Sequence, residues 1–213
     1  ASTYTDLGIN FIDINQKKKS IDYLTKALEI NRNAGREDKI ASTLVWIGVL
    51  YRQADDYDQA IISFKQALRL HEKLGDHELA SRTLIDMGSA YNLKGNTEKA
   101  LDLFEQALEI FEEQKNEAGS VDALGSVAGV YQGWGQYDKA IEIYKRELEF
   151  SKNKKDDLGT FSTYLSLGEV YSSWAKNDVA LKFFKQALDF VDEFVVKAAF
   201  KKGMKDQAYI SLG

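Results

Sequence analysis

Residues 44–70 read LVWIGVLYRQADDYDQAIISFKQALRL, and this stretch decides the fold. Leu44, Ile47, Gly48 and Tyr51 fall at i, i+3, i+4 and i+7, one face of a helix. After the polar turn Ala54-Asp55-Asp56-Tyr57, the residues Ile61, Phe64, Ala67, Leu68 and Leu70 give a second apolar stripe. Two amphipathic helices joined by a tight turn are therefore expected. Shifting the chain against itself by forty residues repeats the pattern without a gap. The columns read Gly8, Gly48, Gly88, Ala128, Gly168; Phe11, Tyr51, Tyr91, Tyr131, Tyr171; and Ser20, Ala60, Ala100, Ala140, Ala180. Two more read Leu24, Phe64, Phe104, Tyr144, Phe184 and Ala27, Ala67, Ala107, Glu147, Ala187.

The columns divide the chain, read as a single domain over 1–213, into copies at 1–40, 41–80, 81–120, 121–160 and 161–205. A partial sixth copy at 206–213 follows, because Tyr209 to Gly213 match Tyr164 to Gly168 at a shift of 45, which places an insertion near 191–205. Small residues such as Gly48 and Ala60 mark where paired helices approach closely, and Tyr51 and Phe64 fill the space beside them. Gly35 and Gly75 suit left-handed helix ends, and Glu37-Asp38 and Asp76 favour the start of the next helix. One such pair cannot bury both its faces, so neighbouring pairs must stack into a solenoid.

Composition excludes much chemistry. The 213 residues contain no cysteine, which removes disulfides, thiol catalysis and Cys-ligated metal centres. They contain no proline, where average usage would give roughly ten, so long uninterrupted helices are unopposed. A net charge of −5 argues against a nucleic-acid surface. No apolar run reaches the ~18 residues of a membrane span, and no signal peptide is visible. His71 and His77 lack partners for a metal site, and Asp55-Asp56-Tyr57-Asp58 lacks the glycine and glutamate of a calcium loop. No phosphate loop, nucleophile elbow or zinc-protease motif occurs, so no catalytic residue, metal or cofactor is expected.

The columns resemble the tetratricopeptide repeat (TPR), whose pattern of Leu-Gly, Tyr, Ala, Phe and Ala the five copies follow along essentially the whole chain. Two departures stand out: the period is forty rather than 34, and the usual proline after the second helix is absent. Both fit a second helix that runs on for more than a turn. The long-repeat subclass is similar to kinesin light chains, LGN/Pins adaptors and bacterial signalling proteins with TPR sensor segments. The asparagine that LGN-type repeats favour after Leu-Gly is replaced by Ile9, Val49, Ser89, Gly129 and Glu169.

The resemblance implies an all-α, right-handed superhelix whose first helices line a concave groove. It also implies a non-enzymatic module that binds a peptide or helix of a partner protein there. Carried over to this chain, the groove positions are Val45, Trp46, Val49 and Arg52 in the second copy and Arg82, Ile85, Ser89 and Asn92 in the third. In the fourth they are Gly125, Gly129 and Gln132, and in the fifth Leu165 and Glu169. Val45, Trp46, Val49 and Ile85 would form an apolar patch, unless a neighbouring helix buries them; Arg52, Arg82, Asn92 and Gln132 would supply directional hydrogen bonds. The lysines and asparagines of a chaperone-type carboxylate clamp are missing.

Gly125, Gly129 and Gly133 share one face of a single helix, each at a cost of roughly 1 kcal/mol relative to alanine. Close approach of a ligand backbone or filling by bulky neighbours such as Tyr164 would account for them. Trp134 and Trp174 read as turn-packing residues, and Lys17-Lys18-Lys19 and the lysines between 152 and 155 as solvated clusters. The segment 191–205 reads as a lengthened second helix, and self-association through it and the terminal helix is one expectation. A start without Met and an end in mid-repeat give another: that the chain is cut from something longer whose missing part holds an enzymatic activity, with these repeats as a sensor or regulatory segment. A cytoplasmic location is expected.

Overall fold

A computed structural model describes the backbone of residues 2–13 and 17–201 and the side chains of 3–10 and 17–189. The element order is α1 (Ser2–Asp13), α2 (Lys17–Asn33), α3 (Glu37–Gln53), α4 (Tyr57–Leu74), α5 (His77–Leu93) and α6 (Thr97–Glu113). It continues with α7 (Glu117–Gly133), α8 (Tyr137–Lys154), α9 (Asp157–Ser173) and α10 (Asn177–Lys201). The fold is an all-α repeat solenoid. Second helices begin at Lys17, Tyr57, Thr97, Tyr137 and Asn177, so the forty-residue period of the sequence is also the period of the backbone. The lengthened last helix is present, reaching Lys201, whereas the partial sixth copy at 206–213 lies outside the described residues.

Both kinds of turn use one device, which is why proline is dispensable. At the end of α4 the amide of Asp76 donates to the carbonyl of His71 at 2.9 Å and that of Gly75 to Glu72 at 3.1 Å. This paired closure satisfies helix-terminal carbonyls and needs a left-handed residue between. Gly75 supplies it with φ 69°. Asp55, Lys115, Lys155 and Ala175 adopt the same conformation without being glycine. After five of the turns the following helix is capped by a side chain: Asp56, Asp76, Asn96, Asn116 and Asp156 each accept from the amide three residues on, whereas Arg36 and Gln136 make no such bond.

Within a pair, the first helix presents a glycine to an aromatic ring of the second. A Cβ placed on Gly48 would come within 2.6 Å of Phe64, on Gly88 within 2.6 Å of Phe104, and on Gly168 within 2.4 Å of Phe184. A second contact uses the added turn of each long repeat. Phe111, fully buried near the end of α6, lies where a Cβ on Gly119 of α7 would come within 2.3 Å. One copy later the Thr160 hydroxyl donates to Ser151 at 3.1 Å, and one copy earlier His71 is buried. The extra residues of the forty-residue period thus bury a further layer between one pair and the next. Ser20 departs from its alanine column and leaves a buried hydroxyl without a partner.

The chain divides into two compact units, Ala1–Val130 and Tyr131–Gly213. The first holds two apolar clusters, one around Leu24, Leu44 and Leu50 and one around Phe64, Met87, Leu103 and Phe111. The second carries a run of aromatic rings in which Trp174 stacks on Tyr137 at 5.7 Å and Tyr171 on Phe183 at 5.4 Å. Trp174 thus packs onto the first residue of α8.

Two outcomes follow from this packing. Gly88→Ala forces its methyl into the buried Phe104 ring, and urea denaturation should show a loss of about 1–3 kcal/mol, partly restored by adding Phe104→Leu. Burial holds the His71 imidazole below its ordinary range, opposed by the nearby Asp76 carboxylate. The unfolded chain then takes up this proton first, so the His71 contribution to stability is complete above pH ~6.5 and is lost as pH falls below it. Thermal melts at neutral and mildly acid pH should show a smaller acid-side drop in His71→Asn than in the parent.

Candidate functional site

In the first unit α3 touches both α1 and α5, so successive first helices form one continuous face. Tight spacing of these helices explains what happens to the apolar positions. Val45, Val49 and Ile85 are half-buried and pack against the core cluster, so part of the expected patch is spent on helix packing. Trp46 is the exception, with 36% of its surface exposed on α3. A large indole left in solvent between packed valines is one feature of this face that packing does not account for, and Leu79 and Leu93 on α5 are exposed with it.

The polar positions are also partly engaged. Arg52 reaches across to Asp86 on α5 at 3.4 Å, with about a quarter of each side chain exposed (24% and 28%). Burial raises the Asp86 carboxyl above its usual range, and the Arg52 charge opposes that. Arg82 contacts Glu78 at 3.3 Å one turn back and Asp122 of α7 at 3.9 Å. Ser89 donates its hydroxyl to the Ile85 carbonyl at 2.9 Å, while Asn92 is exposed. Gly129 is exposed, and a Cβ there, or on Gly133, would meet nothing within 4 Å. Filling by bulky neighbours is therefore not the reason for these glycines; the space beside them is open. Gly125 is half-buried.

In the second unit, Gln132 donates its side-chain amide to Ser173 at 3.1 Å, tying the end of α7 to the end of α9. Leu165 is half-buried and Glu169 exposed. Beside them lies a group that the groove reading of the sequence passes over. Tyr144, buried in the phenylalanine column, shares a hydrogen bond with Ser166, and its hydroxyl is pushed up to about 12 by burial and by Glu147 and Glu169. Glu147 stands where Ala27, Ala67, Ala107 and Ala187 are buried. The signal for this group was in the columns, as the one tyrosine and the one glutamate. Of the ion partners, Asp86 and Asp122 fall among the groove positions of the sequence, whereas Glu78 was not singled out. Among the described residues no three metal-ligating side chains come together, and no helix is long and apolar enough to cross a membrane.

Comparison with known proteins places this geometry. A family model described as tetratricopeptide repeat matches residues 39–113 and 120–193, and a second model of the same description matches 1–33. No curated protein sequence matches. Among solved structures, BtubC (BKLC) from P. vanneervenii is similar at 17% identity and TM-score 0.76, over 91% of this chain and 80% of that one. A Rap protein complexed with competence and sporulation factor is similar at 18% identity and TM-score 0.69, over 90% and 64%. A STAND protein with a tetratricopeptide repeat sensor from Pyrococcus horikoshii is similar at 20% identity and TM-score 0.71, over 92% of this chain and 31% of that one.

The open space beside Gly129 generates its own expectation. Gly129→Ala adds a methyl that touches nothing and removes glycine's backbone entropy, so urea denaturation should show a gain of about 0.5–1 kcal/mol. This is opposite in sign to Gly88→Ala.

Proposed function

The chain belongs to the tetratricopeptide-repeat family, and from that premise we propose that it is a non-enzymatic module for binding a partner protein. The bound element is an extended or helical segment lying in the groove made by the first helices, along α3, α5 and the start of α7. The observation that carries this reading is Trp46, an indole about a third exposed on a first-helix face between half-buried valines. Gly129 adds a bare stretch of backbone against which a ligand chain can lie close. The single domain read from the sequence over 1–213 remains part of this proposal.

Two of the similar structures support it in kind. One is of a protein complexed with a named factor, and one is of a protein whose repeats are described as a sensor. The second of these also favours a narrower reading, in which the repeats regulate an attached effector; this chain spans only 31% of that protein.

A peptide-display screen tests the groove. Peptides enriched on the parent chain should be lost on Ser89→Arg, which places a long charged side chain on the α5 face. Val49→Arg should act in the same way, with a thermal melt to show that each variant still folds. Enriched peptides that bind both variants as well as the parent would place recognition on another surface and overturn the reading.

A further inference from the structure

The charges on the first-helix face of the first unit are unevenly matched. Its two arginines are both committed: Arg52 to Asp86, and Arg82 between Glu78 and Asp122. Three carboxylates therefore answer two guanidinium groups. The surplus is accessible, since Asp122 is 61% exposed and its contact with Arg82 is 3.9 Å long, while Glu78 is 54% exposed. Exposed contacts of this length hold little energy and leave the acids able to take another partner. An anionic ligand would have to break existing pairs and face the remaining carboxylates. A cationic one completes the balance.

Trp46 agrees with this sign. An exposed indole presents an electron-rich face that attracts ammonium and guanidinium groups as well as apolar side chains. The second unit, taken by itself, has the same sign on its own first helix. The face of α9 carries Ser162, Leu165, Ser166, Glu169 and Ser172, with no lysine or arginine among them.

Resting on the groove reading above, we propose that the segment bound on the α3–α5–α7 face is basic. It places an apolar side chain over Trp46 and Val49 and a lysine or arginine against Asp122 and Glu78. Neighbouring packed helices lie about 9 Å apart, and an extended chain advances about 3.4 Å per residue, so the two anchors are about four to six residues apart.

The test uses the whole chain and three pools of short labelled peptides, each with one aromatic or leucine anchor. The flanking positions are lysine and arginine in one pool, aspartate and glutamate in the second, and serine and glutamine in the third. Fluorescence anisotropy should show the basic pool binding about ten-fold tighter than the acidic pool, with the difference shrinking as salt is raised. Trp46→Ala and Asp122→Asn should each weaken the basic pool about three- to ten-fold, and Asp122→Lys should move the preference toward the neutral or acidic pool. An acidic or neutral pool that binds best and is lost in Trp46→Ala would overturn the basic-ligand inference while leaving the groove reading in place. Basic peptides that bind Trp46→Ala and Asp122→Asn as well as the parent would overturn the inference by placing the site elsewhere, for which Glu105→Gln and Glu109→Gln on the acidic outer face of α6 are the check. Binding by none of the pools would overturn both readings.

Discussion

The rest of the structure depends on one contact, the aromatic ring of a second helix seated on a glycine of the first. At Gly48, Gly88 and Gly168 the ring occupies the space that a Cβ would need. This fixes the distance between paired helices at the value a bare backbone allows. Because the ring and the glycine belong to the same copy, each pair is set locally, and the forty-residue period carries the setting along the chain. The small columns at Ala60, Ala100 and Ala140 then close the remaining contacts, and all three residues are fully buried. The added turn of the long repeat makes a second contact with the following pair, through Phe111 against Gly119 and through the Ser151 and Thr160 hydroxyls. Pair and stack are thus held by different parts of the same second helix.

That division explains how much of the fold was legible in the sequence. Gly48, Phe64 and their copies recur at a fixed spacing because their contact is within one repeat, so a self-alignment exposes it. The turns were legible for the same reason: Asp56 and Asn96 cap at equivalent positions. The left-handed turn residues were read at Gly35 and Gly75 and carry the same glycine signal at Gly95 and Gly135, whereas Asp55, Lys115, Lys155 and Ala175 adopt that conformation with side chains that give no sequence signal. Contacts between copies were less readable. Asn31, His71, Phe111 and Ser151 share a column and are all buried, yet they differ in chemistry: Phe111 meets Gly119 of the next helix and Ser151 meets Thr160.

The candidate site was legible as a set of positions and much less so as a set of free groups. Val45, Val49 and Ile85 lie on the expected face, but α3 and α5 touch and half-bury them. Arg52 has the reach and charge of a ligand-binding residue, yet it pairs with Asp86, which lies 34 positions away rather than forty. A repeat alignment compares like positions, so it does not reveal a diagonal pair. The same is true of Gln132 and Ser173, which are 41 positions apart. Exposure is set by such diagonal contacts, and Trp46 is among the large apolar side chains that stay exposed outside them.

Departures from the columns collect in the fourth copy. Ala128 replaces the glycine, Tyr144 the phenylalanine and Glu147 the alanine, while α7 carries Gly125, Gly129 and Gly133. The division into two compact units falls inside the same helix, between Val130 and Tyr131. Where the lock is glycine and phenylalanine, the ring has no polar atom and can be enclosed completely, as Phe64 is. A tyrosine in that place carries a hydroxyl that must find a partner, and Tyr144 finds Ser166 on the next first helix, beside Glu169. The fourth copy therefore turns a contact that elsewhere serves only packing toward the polar first-helix face. On α7 itself, the space beside Gly129 and beside Gly133 is open. The copy least faithful to the repeat is thus the one whose aromatic column carries a polar group toward the following first helix.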